Sequence, residues 1–421
     1  MPIPSLRKPE KHLRVHAATT LKQGDTMSTH PLTRFPVRLI AGALLLAATS
    51  LGPSYAAQPD IKVGLSITQT GPYSPPAIFE LRGYQLAIDE INQAGGLLGR
   101  KLDLIKYDDQ GNPSTAVQLY QKLLTDDKVD LLVSPYQTDL TAAVAPIVNR
   151  AKKVMPSLAA NVENYSGKYP YLIQAITQTP QYMTPALDLA ASKGYKTVAL
   201  LIQNTQFPIQ LAGGIEDEVK KLGMKIVFKE SYDPSTTDFS ALVLKAGKLH
   251  PDVIVGATYL ADAEGIVRAA KSQNIAAKMF AFSIGPVEPE FQKSLGTAAN
   301  GIFGTTLYFP SLKTKGNEEF VKAFQAKFGV APDYHAAVAY ASMKLFGKAV
   351  TQVGSLDQTK IRDAFLKTSE ETVVGHFKLS PTGLQTGYRS YVLQWQDGKQ
   401  VLVWPKQDAQ AKPMLPHGGW K

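Results

Sequence analysis

The sequence predicts an α/β protein built from two similar halves. Short apolar runs rich in β-branched residues alternate with longer segments in which apolar residues recur at helical spacing. Glycine and proline mark the boundaries between these segments. The alternation starts afresh near residue 177, and the 365 residues beyond position 56 are more than one hydrophobic core usually serves. We therefore expect two domains.

The stretch 61–113 sets the pattern that the rest of the chain repeats. Residues 61–66 form an apolar, β-rich run, a polar turn ends at Tyr73, and a helical pattern then continues to Gly95-Gly96. A second strand is predicted over 101–107. Because a strand, a helix and a strand favour parallel pairing with a right-handed crossover, the first loop opens at the carboxyl edge of a sheet. Ligands of open α/β sheets bind at that edge.

The remaining elements follow in order. Asn112 as cap and Pro113 as first residue predict the start of the next helix. The first half then has strands at 129–133, 154–157 and 171–175, with a helix that begins near Asp139. The second half has helices at 181–193, 208–222, 239–248 and 261–273 and strands at 197–202, 224–230, 253–256, 279–282 and 301–307. Helices at 316–328, 334–352 and 357–368 come next, and antiparallel strands are predicted at 373–379, 391–395 and 401–404.

Residues 1–56 are typical of a leader and an export signal rather than of a fold. An apolar run over 39–51 follows two arginines, and small residues stand at Ser54 and Ala56, so we expect a secretory signal peptide with a start at Met27 and cleavage near Ala56. A membrane anchor is the weaker alternative, because the run is shorter than the roughly 20 residues that span a bilayer.

Composition excludes several classes of function. Seven of the 45 Lys/Arg and two of the 35 Asp/Glu lie within residues 1–56, so the formal net charge falls from +10 to +5 beyond them. That remainder has no basic cluster with interleaved aromatic residues, and we expect no nucleic-acid partner. The absence of cysteine excludes disulfides and thiolate metal sites. The histidines beyond the signal show no metal-ligand spacing, so we expect neither metal nor cofactor; they are His250, His335, His376 and His417.

Common enzyme motifs are missing from the sequence. The glycines of 95–99 follow a helix and precede a strand, which is the reverse of a dinucleotide-binding turn. Residues 281–285 lack the first glycine of a nucleophile elbow. Asp108-Asp109 could serve acid–base chemistry or hold a cation, but a capped, solvated turn is the favoured interpretation. We expect a protein that is not an enzyme.

The chain resembles the leucine/isoleucine/valine-binding (type I) family of periplasmic solute-binding proteins, which serve ATP-driven (ABC) importers. The resemblance rests on IKVGLSITQTGPY, GYQLAIDEINQAGGLLGRKLDLIKYDDQGNPSTAV, LTAAVAPI, DFSALVLKAGKLHPDVIV and DYHAAVAYAS. It implies a two-lobed fold in which each lobe is a mostly parallel sheet flanked by helices, joined by a three-strand hinge. It assigns 57–176 and 308–372 to lobe one, 177–307 and 373–405 to lobe two, and 406–421 to a C-terminal tail.

A cleft between two such lobes can bury a small molecule when the hinge closes. The candidate contacts are aromatic or neutral hydrogen-bonding residues in the loops after the strands: Tyr73, Tyr136, Gln137, Thr138, Ala159, Ala160 and Asn161 from lobe one, and Phe207, Tyr259, Ser283 and Ile284 from lobe two. The resemblance implies that the loops 136–138 and 159–161 hold a ligand carboxylate. Thr138 begins a helix whose amino end favours an anion, although the same residue could be a helix cap.

One departure from the family bears on the ligand. The resemblance implies that members binding α-amino acids place an acidic residue after the strand matching 279–282, where it pairs with the ammonium group. This chain has Ser283-Ile284-Gly285-Pro286-Val287 there, and the nearest carboxylate is Glu288. A buried ammonium group without a partner is costly.

Three functions therefore stay open. The family-level expectation is a branched-chain or other hydrophobic amino acid, carried to the permease subunits of an ABC importer by a monomeric periplasmic protein. A non-amino aromatic or aliphatic carboxylate is its rival. The third is a ligand sensor that feeds a receptor.

Overall fold

The computed structural model describes residues 58–420. The predicted leader, signal peptide and cleavage site near Ala56 lie outside these residues. Within 58–420, no helix combines the length and the apolar character that crossing a bilayer requires.

The first sheet has three parallel strands with β1 at its centre. The strands are β1 (Ile61–Ile67), β2 (Leu102–Asp108) and β3 (Leu131–Leu132), in the order β2-β1-β3. They alternate with helices α1 (Ser74–Gln93), α2 (Pro113–Thr125) and α3 (Thr138–Arg150), and β4 (Met155–Ser157) and β5 (Leu172–Gln174) form a further parallel pair. The parallel register of β1 with β2 confirms the predicted strand–helix–strand unit.

The turn after β2 is capped by its two carboxylates. Asp108 accepts hydrogen bonds from the backbone N–H of Gln69 at 2.9 Å and of Gln110 at 3.0 Å. Asp109 is fully buried and accepts from the hydroxyls of Ser66 and Thr68, each at 2.7 Å. The prediction of a capped turn is confirmed, but the expectation that it is solvated is wrong for Asp109.

The second sheet has seven strands. Its strands are β6 (Thr197–Gln203), β7 (Lys225–Tyr232), β8 (Val253–Ala257), β9 (Met279–Phe282), β10 (Phe303–Thr306), β13 (Tyr391–Gln396) and β14 (Lys399–Trp404), in the order β14-β13-β10-β9-β8-β6-β7. β6 to β10 are parallel and the last two are antiparallel. The flanking helices are α4 (Thr184–Ser192), α5 (Gln206–Lys221), α6 (Ser240–Gly247), α7 (Leu260–Ser272) and α8 (Pro289–Leu295).

Three late helices return to the first sheet. They are α9 (Asn317–Phe328), α10 (Tyr334–Val353) and α11 (Gln358–Leu366). α10 packs along α1, and the contact is so close that a Cβ on Gly83 would lie 2.2 Å from the carbonyl oxygen of Ala336. Glycine at this position therefore sets the spacing of the two helices.

A short antiparallel hairpin, β11 (Ser369–Thr372) and β12 (Gly375–Lys378), follows α11. Phe377 of the hairpin stacks on Phe365 of α11 at 6.0 Å between ring centroids. The predicted strand over 373–379 is wrong at its start, because Val373 and Val374 lie in the turn between β11 and β12.

Candidate functional site

A small cavity lies where loops after strands of both sheets meet. Its volume is about 30 Å³. It is lined by Tyr136, Gln137, Thr138, Leu158, Ala160, Ile176, Tyr182, Phe207, Tyr259, Ile284 and Tyr334. Five of these eleven residues are aromatic, and the space has room for little more than a water molecule. The structure is therefore a closed arrangement in which aromatic rings fill the site.

Seven of the predicted contact residues line this cavity and four do not. Those at the cavity are Tyr136, Gln137, Thr138, Ala160, Phe207, Tyr259 and Ile284. Tyr73 lies outside the cavity lining and packs on Tyr259, which belongs to the lining. Ala159 contributes its carbonyl oxygen to the hydroxyl of Tyr165 at 2.9 Å, and Asn161 is hydrogen-bonded to Glu163 and Asn164.

The fourth residue outside the lining, Ser283, uses its hydroxyl within the second sheet. Its Oγ donates to the carbonyl oxygen of Thr258 at 2.7 Å and accepts from the backbone N–H of Thr258 at 2.9 Å. Ser283 thus ties the ends of β8 and β9 together. Ile284, the next residue, supplies the contact to the cavity.

Four lining residues were missed by the sequence analysis: Leu158, Ile176, Tyr182 and Tyr334. Leu158 directly precedes three predicted contacts, and Tyr334 stands in the DYHAAVAYAS segment, so both could have been predicted. Ile176 and Tyr182 flank the passage from the first half to the second. A search of the predicted crossover for aromatic and apolar residues would have found them.

The amino end of α3 faces the cavity. Gln137 is its N-cap, with backbone angles φ 79° and ψ 148°, and no side chain caps the helix. Thr138 is the first helical residue rather than the cap. Such an uncapped helix start presents backbone N–H groups and a partial positive charge to an anion. Gln137 is the residue of the lining that combines a non-glycine side chain with a positive φ among the described residues.

Three of the aromatic rings that line the cavity form a continuous cluster. Phe207 lies 5.4 Å from Tyr182 and 5.8 Å from Tyr259 between ring centroids. Burial raises the pKa of Tyr136, Tyr182 and Tyr259 well above the ordinary value. These hydroxyls therefore stay neutral at physiological pH and act as hydrogen-bond donors or acceptors.

Direct hydrogen bonds join α5 to the loop after β4 beside the cavity. Gln210 of α5 accepts through Oε1 from the backbone N–H of Val162 at 3.0 Å and donates through Nε2 to Glu163. The carboxylate of Asp139, in the first turn of α3, accepts from the backbone N–H of Gln206, and its pKa is raised by burial. These contacts join α5, which flanks the second sheet, to α3 and to the loop after β4, beside the aromatic cluster.

Glu288 lies beside the cavity but not in its lining. Its side chain is fully buried, and burial raises the pKa of this carboxyl well above its ordinary value. Oε1 is 3.5 Å from Nδ1 of His335, and that same nitrogen lies 2.9 Å from Oδ2 of Asp333. This cluster could not be predicted from residue spacing, because Glu288 and His335 are far apart along the chain.

Two α/β sheets whose carboxyl-end loops meet around an aromatic cavity define a protein of the solute-binding class. The family model described as "Periplasmic binding protein" matches residues 60–400. The chain therefore belongs to the periplasmic binding protein family, in its type I, leucine/isoleucine/valine-binding branch. This family consists of non-enzymatic solute-binding proteins and implies an extracytoplasmic location.

Relatives and solved structures agree with this assignment. "Leu/Ile/Val-binding protein homolog 7" of Brucella suis is 26% identical over 396 residues, which cover 89% of this chain and 98% of the relative. The branched-chain amino acid substrate-binding protein LivJ of Streptococcus pneumoniae, solved with isoleucine, has a TM-score of 0.75 at 25% identity and covers 82% of this chain and 100% of that chain.

A further solved structure is the solute-binding protein of an ABC transporter from R. palustris in complex with benzoate. Its TM-score is 0.73 at 21% identity, over 82% of this chain and 95% of that chain, and it supports the fold alone. The predicted two-lobed α/β fold and the membership of the family are confirmed.

Proposed function

We propose that this protein is the extracytoplasmic substrate-binding component of an ABC importer and that its ligand is a small carboxylate with an aromatic or aliphatic body. The observation that carries the proposal is the composition of the cavity. Its eleven lining residues are aromatic, aliphatic or neutral, and none is acidic or basic. The uncapped start of α3 supplies a partial positive charge that an anion can use.

Energy considerations favour such a two-part ligand. Burying an aromatic group of about 150–250 Å² contributes roughly 4–6 kcal/mol. A micromolar complex needs about 8 kcal/mol, and association entropy must be offset as well. The carboxylate, held by backbone N–H groups of α3 and the hydroxyl of Thr138, supplies the remainder.

Binding requires the aromatic rings to separate, because the closed cavity is smaller than any such ligand. We propose that the protein closes by a hinge motion between the two lobes predicted above. Lobe one consists of residues 57–176 and 308–372, and lobe two consists of residues 177–307 and 373–405. The packing of Phe377 on Phe365 of α11 favours assigning the whole hairpin β11–β12 to lobe one.

A branched-chain or other hydrophobic amino acid is the second candidate. The names of the relatives favour it, and so does Gln137, whose Oε1 is buried without a donor among the described residues and could accept from an ammonium group. The loop after β9 argues against it, because Ser283 is engaged with Thr258 and Ile284 is apolar. A buried ammonium with a single neutral acceptor would be poorly compensated.

Matched ligand pairs separate these candidates. We expect 3-phenylpropanoate and 4-methylpentanoate to raise the melting temperature of the purified protein and to bind in calorimetry. Phenylalanine and leucine, which differ from them by the amino group alone, should bind at least about 10-fold more weakly, a difference of about 1.4 kcal/mol. Tighter binding of both amino acids would reverse the order of the candidates, and no binding of any of the four would contradict the proposed ligand class.

The partner needs its own experiment. We expect ligand-loaded protein to be retained by the permease subunits of an importer in detergent or nanodiscs. Retention by a receptor ectodomain instead would identify the protein as a sensor.

A further inference from the structure

Three metal-ligating side chains converge beside the aromatic cavity, from two distant parts of the chain. Glu288 stands between a short 3₁₀ turn after β9 and the start of α8. Asp333 is the N-cap of α10, and His335 lies in the first turn of that helix. One ligand atom from each of the three lies within 4.8 Å of the other two.

Glu288 is a buried carboxylate that receives no hydrogen bond from the described residues, although Nδ1 of His335 lies 3.5 Å away. Its exposed fraction is 0%, and neither carboxylate oxygen has a hydrogen-bond donor among the residues that the structure describes. His335 is 2% exposed. Taking an ionised carboxylate out of water without a partner costs several kcal/mol. A proton or a cation must therefore accompany Glu288 in the closed protein, and an ion at the cluster would meet this need.

The donor atoms are already arranged by their neighbours. Asp333 uses Oδ1 to accept from the backbone N–H of Ala336 at 2.9 Å, which leaves Oδ2 directed at Nδ1 of His335. The ring of His335 packs between Tyr334 and Tyr136, with centroids at 3.8 Å and 5.5 Å. Such outer contacts orient metal ligands and exclude water.

Separations between the donor atoms also suit a small ion. Nδ1 of His335 is 2.9 Å from Asp333 and 3.5 Å from Glu288. Ligand atoms about 2.0–2.2 Å from a tetrahedral ion stand about 3.3–3.6 Å from one another. One imidazole nitrogen with two carboxylate oxygens is a donor set for Zn²⁺ or Mn²⁺ rather than for Mg²⁺ or Ca²⁺, which prefer oxygen alone.

We propose that Glu288, Asp333 and His335 form a binding site for one divalent transition-metal ion. Glu288 follows a strand of the second sheet, whereas the other two residues begin α10, which packs on α1 beside the first sheet. The three ligands therefore come together only in the closed arrangement. An ion at this site would stabilise closure, whichever organic ligand the cavity takes.

Zinc titration of untagged, metal-stripped protein tests the proposal. Calorimetry with Zn²⁺ should give one tight equivalent, and affinity should fall at least about 10-fold in Glu288→Gln and in His335→Asn. The first change preserves shape and replaces a buried carboxyl group that has no hydrogen-bond donor among the described residues, so the metal-free variant should melt no lower than the parent protein. Mn²⁺ should compete with Zn²⁺, and Mg²⁺ should not.

Two control variants test whether a loss of Zn²⁺ affinity is specific to the proposed site. Glu80→Gln removes another fully buried carboxylate without hydrogen-bond donors in the described part of the chain. His376→Asn removes an exposed histidine that lies 2.8 Å from Glu371. Both should bind Zn²⁺ as the parent does. The proposal is overturned if the parent takes up no stoichiometric Zn²⁺, if Glu288→Gln binds it unchanged, or if either control loses it.

Discussion

Tyr73 and Tyr259 meet edge to face beside the cavity, with ring centroids 5.0 Å apart and ring planes inclined by 68°. Each residue is the N-cap of a helix, Tyr73 of α1 and Tyr259 of α7. α1 follows a strand of the first sheet and α7 follows a strand of the second. This ring pair therefore connects the helices of the first sheet with those of the second. It forms a contact that closure of the site must make.

Removal of the Tyr73 ring should weaken ligand binding through closure rather than through the cavity lining. An aromatic pair contributes about 0.5–1.5 kcal/mol beyond its area, so Tyr73→Ala should lower ligand affinity about 2- to 10-fold. Tyr73→Phe keeps the ring and should bind within about 2-fold of the parent, by the same reasoning. Calorimetry with the tightest carboxylate of the ligand screen measures both. Equal affinity in Tyr73→Ala would show that closure does not use this pair.

The hydrogen bonds of Gln210 give a second test of closure. Gln210→Ala removes the acceptor for Val162 and the donor to Glu163, neither of which lines the cavity. Hydrogen bonds contribute about 0.5–1.5 kcal/mol each and these lie near the surface, so ligand affinity should fall about 3- to 10-fold.

Gln273→Ala is the matched control for Gln210. Gln273 donates to the carbonyl oxygen of Ser240 at 2.9 Å, and this bond lies entirely among the helices of the second sheet. Its loss should leave ligand affinity unchanged. Equal losses in the two variants would mean that Gln210 acts on general stability and not on closure.

Asp262 should make stability depend on pH. It is a buried residue of α7 that accepts from the backbone N–H of Tyr259 at 2.8 Å, and burial raises its pKa from 3.8 to about 7. The folded chain therefore holds this proton more tightly than the unfolded chain. The resulting stabilisation is fully present below about pH 4 and is lost as the pH rises to about 7.

Comparison with Asp262→Asn isolates this carboxyl from the others. The free energy of unfolding of the parent minus that of the variant should fall as pH rises, by at most about 1.4 kcal/mol per unit, and level off above about pH 7. Urea unfolding across this range measures the difference. A difference that stays constant with pH would show that folding does not shift the pKa of Asp262.

Local signals in the sequence were sufficient for most of the fold. Asn112 accepts from the backbone N–H of Thr115 at 3.0 Å and Pro113 is the first residue of α2, as predicted. Strand 279–282 has the predicted bounds. Caps, prolines and apolar runs act within a few residues, so they can be recognised without knowledge of the tertiary structure.

The site could be predicted only in part, because its other contacts depend on chain crossings. Tyr334 reaches the cavity from the start of α10, after the chain has left the second sheet. The approach of Glu288 to His335 depends on the same return. Nor does local sequence indicate that Gln137 has a positive φ or that the hydroxyl of Ser283 is used by Thr258.

Adjacent glycines in α5 should respond in opposite ways to the same substitution. A Cβ on Gly214 would lie 2.4 Å from both the Cα and the carbonyl oxygen of Pro180, whereas a Cβ on Gly213 meets nothing within 4 Å. Gly213→Ala should raise the free energy of unfolding by about 0.5–1 kcal/mol, because alanine favours a helix. Gly214→Ala should lower it by about 1–3 kcal/mol, because α5 must move away from Pro180.

This pair also bears on binding, because α5 carries Phe207 into the cavity. Displacement of α5 in Gly214→Ala should weaken carboxylate binding, while Gly213→Ala should leave it unchanged. Urea unfolding and calorimetry on the two variants measure both effects. If the two substitutions changed stability in the same direction, the close packing of α5 on the segment around Pro180 would not be what sets the position of that helix.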